Sequence, residues 1–278
     1  MWQLVWTYVQ HPLVQRLRGI TQHGCLVPIS SAYGYSRFEH SLGVAYLAWV
    51  AAGHLQATPE QRYAVTLAGL LHDVGHGPFS HDLDRLLHEA GSTLTHERRS
   101  VDVAHRLIAE LDADQPRLPA QVAALIAGRS HPDIPARLTR LISSSGGLDV
   151  DRLDYLWRDA RFLGEELPPP PVMLAHLTAG GQWGVGEAAY LRVRDRLFDE
   201  FYTPGSNELW PQTRIRLFRS LRDAGVMLPR RASTWDVMRM VEPPTHASDQ
   251  AAATMAGSST AVASPSSGDS LPAAAEMA

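Results

Sequence analysis

The sequence predicts a mainly α fold: a helical bundle carrying a small β-hairpin and followed by a disordered C-terminal tail. Three observations carry that expectation. Apolar residues recur at helical spacing through most of the stretch from Val9 to Leu163. Leu177–Val193 holds AGGQWGVG between apolar ends and reads as a hairpin. From about Pro243 to Ala278 the chain is mostly Ala, Ser, Pro, Gly and Thr, with no Phe, Trp or Tyr and almost no aliphatics beyond Ala, a composition unable to bury enough surface to order itself. Residues 1–242 are therefore expected to form one domain and residues 243–278 a tail.

In chain order, Val9–Ile20 reads as a short helix with Pro12 near its start and Leu13, Val14, Leu17 and Ile20 turned inward. Gln22–Tyr35 is irregular. Ser36 caps a helix running to about Leu55, with Phe38, Leu42, Ala45, Tyr46, Trp49 and Val50 as its apolar stripe and His40 off the stripe's centre. Thr58-Pro59-Glu60 opens the next helix. Ser80 or His81 begins a helix through Glu89, Thr95–Glu110 forms a longer one, and shorter ones follow at about Ala120–Ala127 and Ala136–Ser143. In Leu148–Leu163 the residues Val150, Leu153, Leu156, Trp157 and Ala160 make one face, while Asp151, Tyr155 and Asp159 make another. A four-proline run, Pro168–Pro171, closes that section, and Asp195–Tyr202 and Leu209–Asp223 are again helical.

The totals exclude several functions. A chain of 278 residues with 45% hydrophobic content can fill a full core. Its net charge of -4 gives no general attraction to nucleic acid or to an anionic membrane. Every basic residue is Arg, and Arg137, Arg140, Arg152, Arg158 and Arg161 are interleaved with aspartates rather than forming a basic stripe. The lone Cys25 rules out an intrachain disulfide framework and a cysteine zinc knuckle. No apolar run approaches membrane-spanning length, and the first residues lack a basic leader, so a soluble, cytoplasmic protein is expected.

Histidine is the unusual residue: eight of the 13 lie between His40 and His105. The stretch Leu70–His81, LLHDVGHGPFSH, places His72 and Asp73 at the end of an apolar run. His76 and His81 follow among Gly75, Gly77 and Pro78. Adjacent His and Asp side chains face one cation only where the helix stops being regular, and the glycines and proline permit that break. Imidazole with carboxylate suits a mid-row divalent metal. The bland alternative is a buried helix end with a spare histidine.

Three segments then stand in order: SRFEHSLG at 36–43, LLHDVGHGPFSH at 70–81 and DVDRLDYLWRD at 149–159. The order His…His-Asp…Asp resembles the HD-domain phosphohydrolases, and the surrounding words are similar to the branch that holds the deoxynucleoside triphosphate triphosphohydrolases. The resemblance covers roughly residues 10–165 and implies the HD-domain helical bundle. It implies one divalent metal ion (Mn, Mg, Fe, Co, Ni or Zn) held by His40, His72, Asp73 and Asp151, leaving coordination sites for water and a phosphate oxygen.

The resemblance also implies His81 as general acid supported by Asp84 and His96, with His76 as a phosphate contact. Arg37 would grip a phosphate, Gln22 would lie beside the sugar and base, and Tyr155 and Asp159 would hold the sugar, Asp159 accepting from a 3′-hydroxyl. For each there is a structural alternative: a core histidine at 40, a helix-face pair at 81 and 84, ordinary first-turn residues at His96-Glu97, a core Tyr155 and a surface Asp–Arg pair at 159. The activity implied is hydrolysis of a dNTP to deoxynucleoside and triphosphate, in an assembly of identical chains. A phosphodiesterase or phosphomonoesterase for another nucleotide, and a non-catalytic nucleotide-binding module, are the competing readings. Departures from the pattern favour a smaller phosphoester and no activating nucleotide: Gln15 and Arg18 match an activator site, but Gln10 stands where an Asp reads guanine, and Pro204 where an Arg grips triphosphate.

Overall fold

A computed structural model describes residues 1–27, 31–89, 91–176 and 186–202, together with Arg216 and Arg219. The chain divides into two units, Met1–Val241 and Glu242–Ala278, and all that follows concerns the first. The described residues are mainly helical, and instead of a sheet they show two isolated bridges, Thr21 with Ser36 and His131 with Ile134.

Trp2–Gln10 (α1) precedes Pro12–Gln15 (α2) and a 3₁₀ turn over Arg16–Gly19. The single helix expected over 9–20 is thus broken at His11. Pro12 holds the residue before it extended, at φ -64 and ψ 136, and then opens α2. Val14, Leu17 and Ile20 are buried as expected.

Arg37–His54 (α3) and Pro59–Leu71 (α4) form the central pair, packed along each other. Both begin with a reciprocal capping box, Ser36 with Glu39 and Thr58 with Gln61. The buried face of α3 differs from the expected stripe. Tyr46 is exposed, Leu42, Trp49 and Val50 are half-buried, and the face turned fully inward runs through His40, Ser41, Val44, Ala48 and Ala51. Small side chains let α3 approach α4 closely; a Cβ on Gly69 of α4 would lie 3.1 Å from the Val44 carbonyl oxygen. A reading weighted by large apolar groups placed His40 off centre, whereas it is fully buried.

His81–Glu89 (α5), His96–Leu111 (α6), Leu118–Ile126 (α7) and Ala136–Ile142 (α8) follow close to the predicted bounds. Val150–Asp159 (α9), continued by a 3₁₀ turn to Leu163, packs on α3. Its apolar face holds Val150, Leu153, Leu156 and Ala160, but Trp157 is 41% exposed, off that face. The proline run does not end a section: Pro170 and Pro171 open Pro170–Ala175 (α10), which lies against α3.

The hairpin is corrected. Residues 177–185 lie outside the described residues, and the part assigned to its second strand belongs to Glu187–Leu197 (α11), followed by a π-helical turn, Phe198–Tyr202. Tyr190 and Val193 of α11 are buried against the core, a three-residue spacing that suits a helix and not the alternation of a strand. Leu209–Asp223, apart from Arg216 and Arg219, and the tail from Pro243 lie outside the described residues.

The turn after α4 shows how the glycines work. Positive φ falls at Phe79 (60) and Ser80 (53), not at Gly75 or Gly77. Gly75 serves close approach instead. A Cβ there would overlap the backbone of His96, Arg99 and Ser100 in α6, and Gly75 N–H donates to Ser100 Oγ at 2.8 Å. Replacing Gly75 with Ala is expected to lower stability by about 1–3 kcal/mol through overpacking. Denaturant unfolding checks this, and an unmoved midpoint would contradict the close approach.

Candidate metal centre

Of the four metal ligands expected from sequence, His40, His72 and Asp151, from α3, the end of α4 and α9, have ligand atoms that all lie within 4.8 Å of one another; Asp73 is not part of that group, though it lies near both histidines. His40 Nε2 is 2.9 Å from Asp151 Oδ1 and 3.7 Å from Asp73 Oδ2. His72 Nε2 is 3.4 Å from Asp73 Oδ2 and 3.8 Å from Asp151 Oδ1. His40 and Asp73 are buried, while His72 and Asp151 keep some exposure.

Each imidazole is tethered by its other nitrogen. His40 Nδ1 bonds Asp154 Oδ2 at 2.8 Å, and Asp154 is in turn held by Arg158 Nε at 2.8 Å. His72 Nδ1 donates to the Gly69 carbonyl at 2.8 Å. Both Nε2 atoms are buried and have no hydrogen-bond partner among the described residues. Two orphaned ring nitrogens facing two carboxylates fit a divalent cation, because the second-nitrogen tether fixes the tautomer that presents a lone pair. Gly43 makes room for this: a Cβ there would overlap the Asp154 carboxylate.

The surrounding carboxylates also set the protonation of the free site, so a cation at His40 Nε2 has to displace a proton. Burial pushes the His40 ring down, but Asp151 and Asp154 outweigh it and raise its pKa to about 10. Asp151 Oδ1 lies off the ring's hydrogen-bonding direction, so the Asp154 bond is the firmer part of that shift. Burial would raise the Asp73 carboxyl, yet Arg37 and then His72 and His76 hold it well below the usual carboxylate range.

Arg37 is fully engaged. Its Nη1 donates to Asp73 Oδ2 at 2.7 Å, Nε to Ser80 Oγ at 2.9 Å and Nη2 to the Gln22 carbonyl at 3.0 Å. Gln22 is buried and its side-chain Oε1 has no partner among the described residues. Gln15 and Arg18 are used locally, Gln15 on the Val9 carbonyl and Arg18 on Gln15. Pro204 lies outside the described residues.

Beside the first set stands a second, His76, His81, Asp84 and His96, whose ligand atoms also lie within 4.8 Å of one another. His76 stacks on His96 with ring centroids 3.9 Å apart, and His81 lies edge-on to both. His76 Nε2 is 3.4 Å from Asp73 Oδ1, linking the two clusters. Asp84 is taken by His96 and Arg99, not by His81 as the spacing suggested. Arg37 and Arg99 flank this set, and their positive charge disfavours a second cation there. Burial first, and then Arg37 and His96, push His81 down to about 4. The residue as a whole is exposed, which makes burial the weaker part of that shift. His76 is driven down by burial and Arg37.

On α9, Tyr155 is half-buried one turn from Asp159. Asp159 itself is 1% exposed and accepts from His23 Nε2 at 2.9 Å, Tyr35 at 3.0 Å and Tyr202 at 2.6 Å. Sequence reasoning passed over His23, Tyr35, Asp154, Arg99 and Tyr202. Asp154 was findable, since it lies one helical turn from Asp151 on the side turned to α3. The others meet their partners only through long-range packing.

Comparison with known proteins agrees with this geometry. Residues 37–159 match the family model described as HD domain, a span that begins at Arg37 and ends at Asp159. The chain is thus similar over this span to HD-domain phosphohydrolases. More particularly, it is 33% identical over 165 residues to the deoxynucleoside triphosphate triphosphohydrolase SAMHD1 homolog of Dictyostelium discoideum, covering 54% of this chain and 32% of that protein. Against human SAMHD1 it is 33% identical over 189 residues, covering 56% and 30% respectively. The chain thus spans about a third of the length of the curated relatives it matches. A crystal structure of a phosphohydrolase from Bacteroides thetaiotaomicron superposes with a TM-score of 0.65 at 27% identity, covering 81% of this chain and 57% of that one.

Replacing Asp154 with Asn weakens the tether on His40 and is expected to lower divalent-metal affinity about tenfold or more. Competition with a chelator measures this alongside an unchanged circular dichroism spectrum; equal affinity would show that the tether does not matter.

Proposed function

We propose that the chain is a metal-dependent phosphohydrolase acting on nucleotides, and that its reaction is hydrolysis of a deoxynucleoside triphosphate to deoxynucleoside and triphosphate. The observation that carries the hydrolase reading is the pair of orphaned Nε2 atoms of His40 and His72 facing Asp73 and Asp151, beside a second histidine-rich cluster. The nucleotide reading is supported by likeness to relatives whose names state that activity.

In this reading His40, His72, Asp73 and Asp151 hold the cation, which supplies Lewis acidity toward a phosphate oxygen when bound. Arg37, fixed by three partners, contributes positive charge beside Asp73 without having to reorganise. His76, buried and held neutral, has one unpaired N–H to donate to a phosphate oxygen. His81 gives its proton to the departing oxygen. A negatively charged phosphate beside it favours the protonated ring and so opposes the depression that Arg37 imposes in the free protein. Asp84, locked to His96 and Arg99, keeps the His96 ring in place against His76. Tyr155 packs on the sugar, and Gln22 and Asp159 address its hydroxyl end.

A second reading, a phosphodiesterase or phosphomonoesterase on a smaller nucleotide, is favoured by the full set of donors already on Asp159. Product analysis of metal-loaded protein against a nucleotide panel separates the two. Inorganic triphosphate from a dNTP is the expected product. Inorganic phosphate or a mononucleotide alone would replace the first reading by the second, and binding with no turnover under any divalent metal would leave a nucleotide-binding module. Replacing His81 with Ala is expected to lower kcat by about 10²–10⁴-fold with little change in metal content. An unaltered kcat would remove His81 from proton transfer.

A further inference from the structure

The three donors on Asp159 are not equivalent. Oδ1 is held by His23 Nε2 at 2.9 Å and the Tyr35 hydroxyl at 3.0 Å, both buried residues of the irregular segment before α3. His23 lies edge-on to Tyr35, Phe162 and Phe201, and Phe162 stacks on Phe201 at 4.1 Å. That ring of aromatic contacts makes the Oδ1 pair a fixed part of the interior. Oδ2 is bonded by the Tyr202 hydroxyl at 2.6 Å, and Tyr202 comes from the turn Phe198–Tyr202, where Phe201 and Tyr202 are only half-buried and Phe198 is 51% exposed. Tyr202 is thus bonded to one of the four residues that the resemblance assigns to substrate.

We propose that Tyr202 is a specificity-determining residue whose hydroxyl occupies, in the free protein, the Asp159 oxygen that a substrate's sugar 3′-hydroxyl takes on binding. This rests on the nucleotide reading above. A phenol and a sugar alcohol are the same kind of donor, so a substrate that carries the hydroxyl replaces one hydrogen bond by another and leaves the buried carboxylate satisfied. A substrate without it gains nothing from displacing Tyr202. The contact thus lowers the apparent affinity for every hydroxyl-bearing substrate and sets how strongly the pocket rewards that group.

The test is steady-state kinetics of the full chain and of Tyr202→Phe on a 2′-deoxynucleoside triphosphate and on its 2′,3′-dideoxy counterpart. Phe keeps the ring in its packing and removes only the competing donor, and thermal unfolding verifies that the fold is kept. The expected result is a KM about fivefold lower in Tyr202→Phe for the 3′-hydroxyl substrate, from loss of one competing hydrogen bond. The dideoxy KM and both kcat values stay unchanged. Equal effects on the two substrates, no effect, or a higher KM for the hydroxylated one would overturn the proposal while leaving the nucleotide reading intact. Calorimetric binding of the deoxynucleoside and its 3′-deoxy analogue makes the same comparison without turnover. Failure of wild type and variant alike to turn over or bind any of them would overturn the nucleotide reading, and this proposal with it.

Discussion

The hydrogen bond from His40 Nδ1 to Asp154, with its counterpart from His72 Nδ1 to the Gly69 carbonyl, leaves two Nε2 atoms buried and turned toward carboxylates. A ring free to rotate would present either nitrogen, and a buried ring nitrogen without a partner is costly. The protein accepts that cost at two neighbouring positions and fixes both. Much of the helical packing serves to sustain this: α3 must lie close enough to α4 and α9 for three segments to meet within a few ångströms. Small residues at Gly43, Ala48, Ala51 and Gly69 permit the approach.

The charges around the site follow the same logic. Asp73, Asp151 and Asp154 would repel one another if nothing stood between them. Arg37 is buried against Asp73, half-buried Arg158 pairs with Asp154, and the neighbouring cations and imidazoles hold the Asp73 and Asp151 carboxyls below their ordinary range without a bound cation. Asp149, two residues before Asp151, has a different task. It caps α9 by accepting from Arg152 N–H and pairs with the Arg152 side chain at 2.6 Å. One short stretch, 149–159, therefore supplies a helix cap, a metal-facing carboxylate, a tether and a buried acceptor from four aspartates.

What was legible in the sequence was local. Ser36, Thr58 and Thr95 announced helix starts because a cap bonds within three residues of itself. The His72-Asp73 break announced itself by composition. What was not legible depends on distance or on small side chains. The inward face of α3 was missed because close packing there uses Ala, Ser and Gly, which carry little apolar signal. The strand expected up to Val193 gave way to α11, since apolar residues beside glycines cannot by themselves tell a hairpin from a helix with a glycine before its first turn. His23 and Tyr202 could not be paired with Asp159 from spacing, being 136 and 43 residues away.

The most direct test of the central claim is a crystal structure of the manganese-loaded protein, with the cation located by anomalous scattering. The account predicts one strong peak within bonding distance, about 2.0–2.3 Å, of His40 Nε2 and His72 Nε2 and of a carboxylate oxygen from each of Asp73 and Asp151. A peak seated instead among His76, His81, Asp84 and His96, with the Nε2 atoms of His40 and His72 still unoccupied, would contradict it.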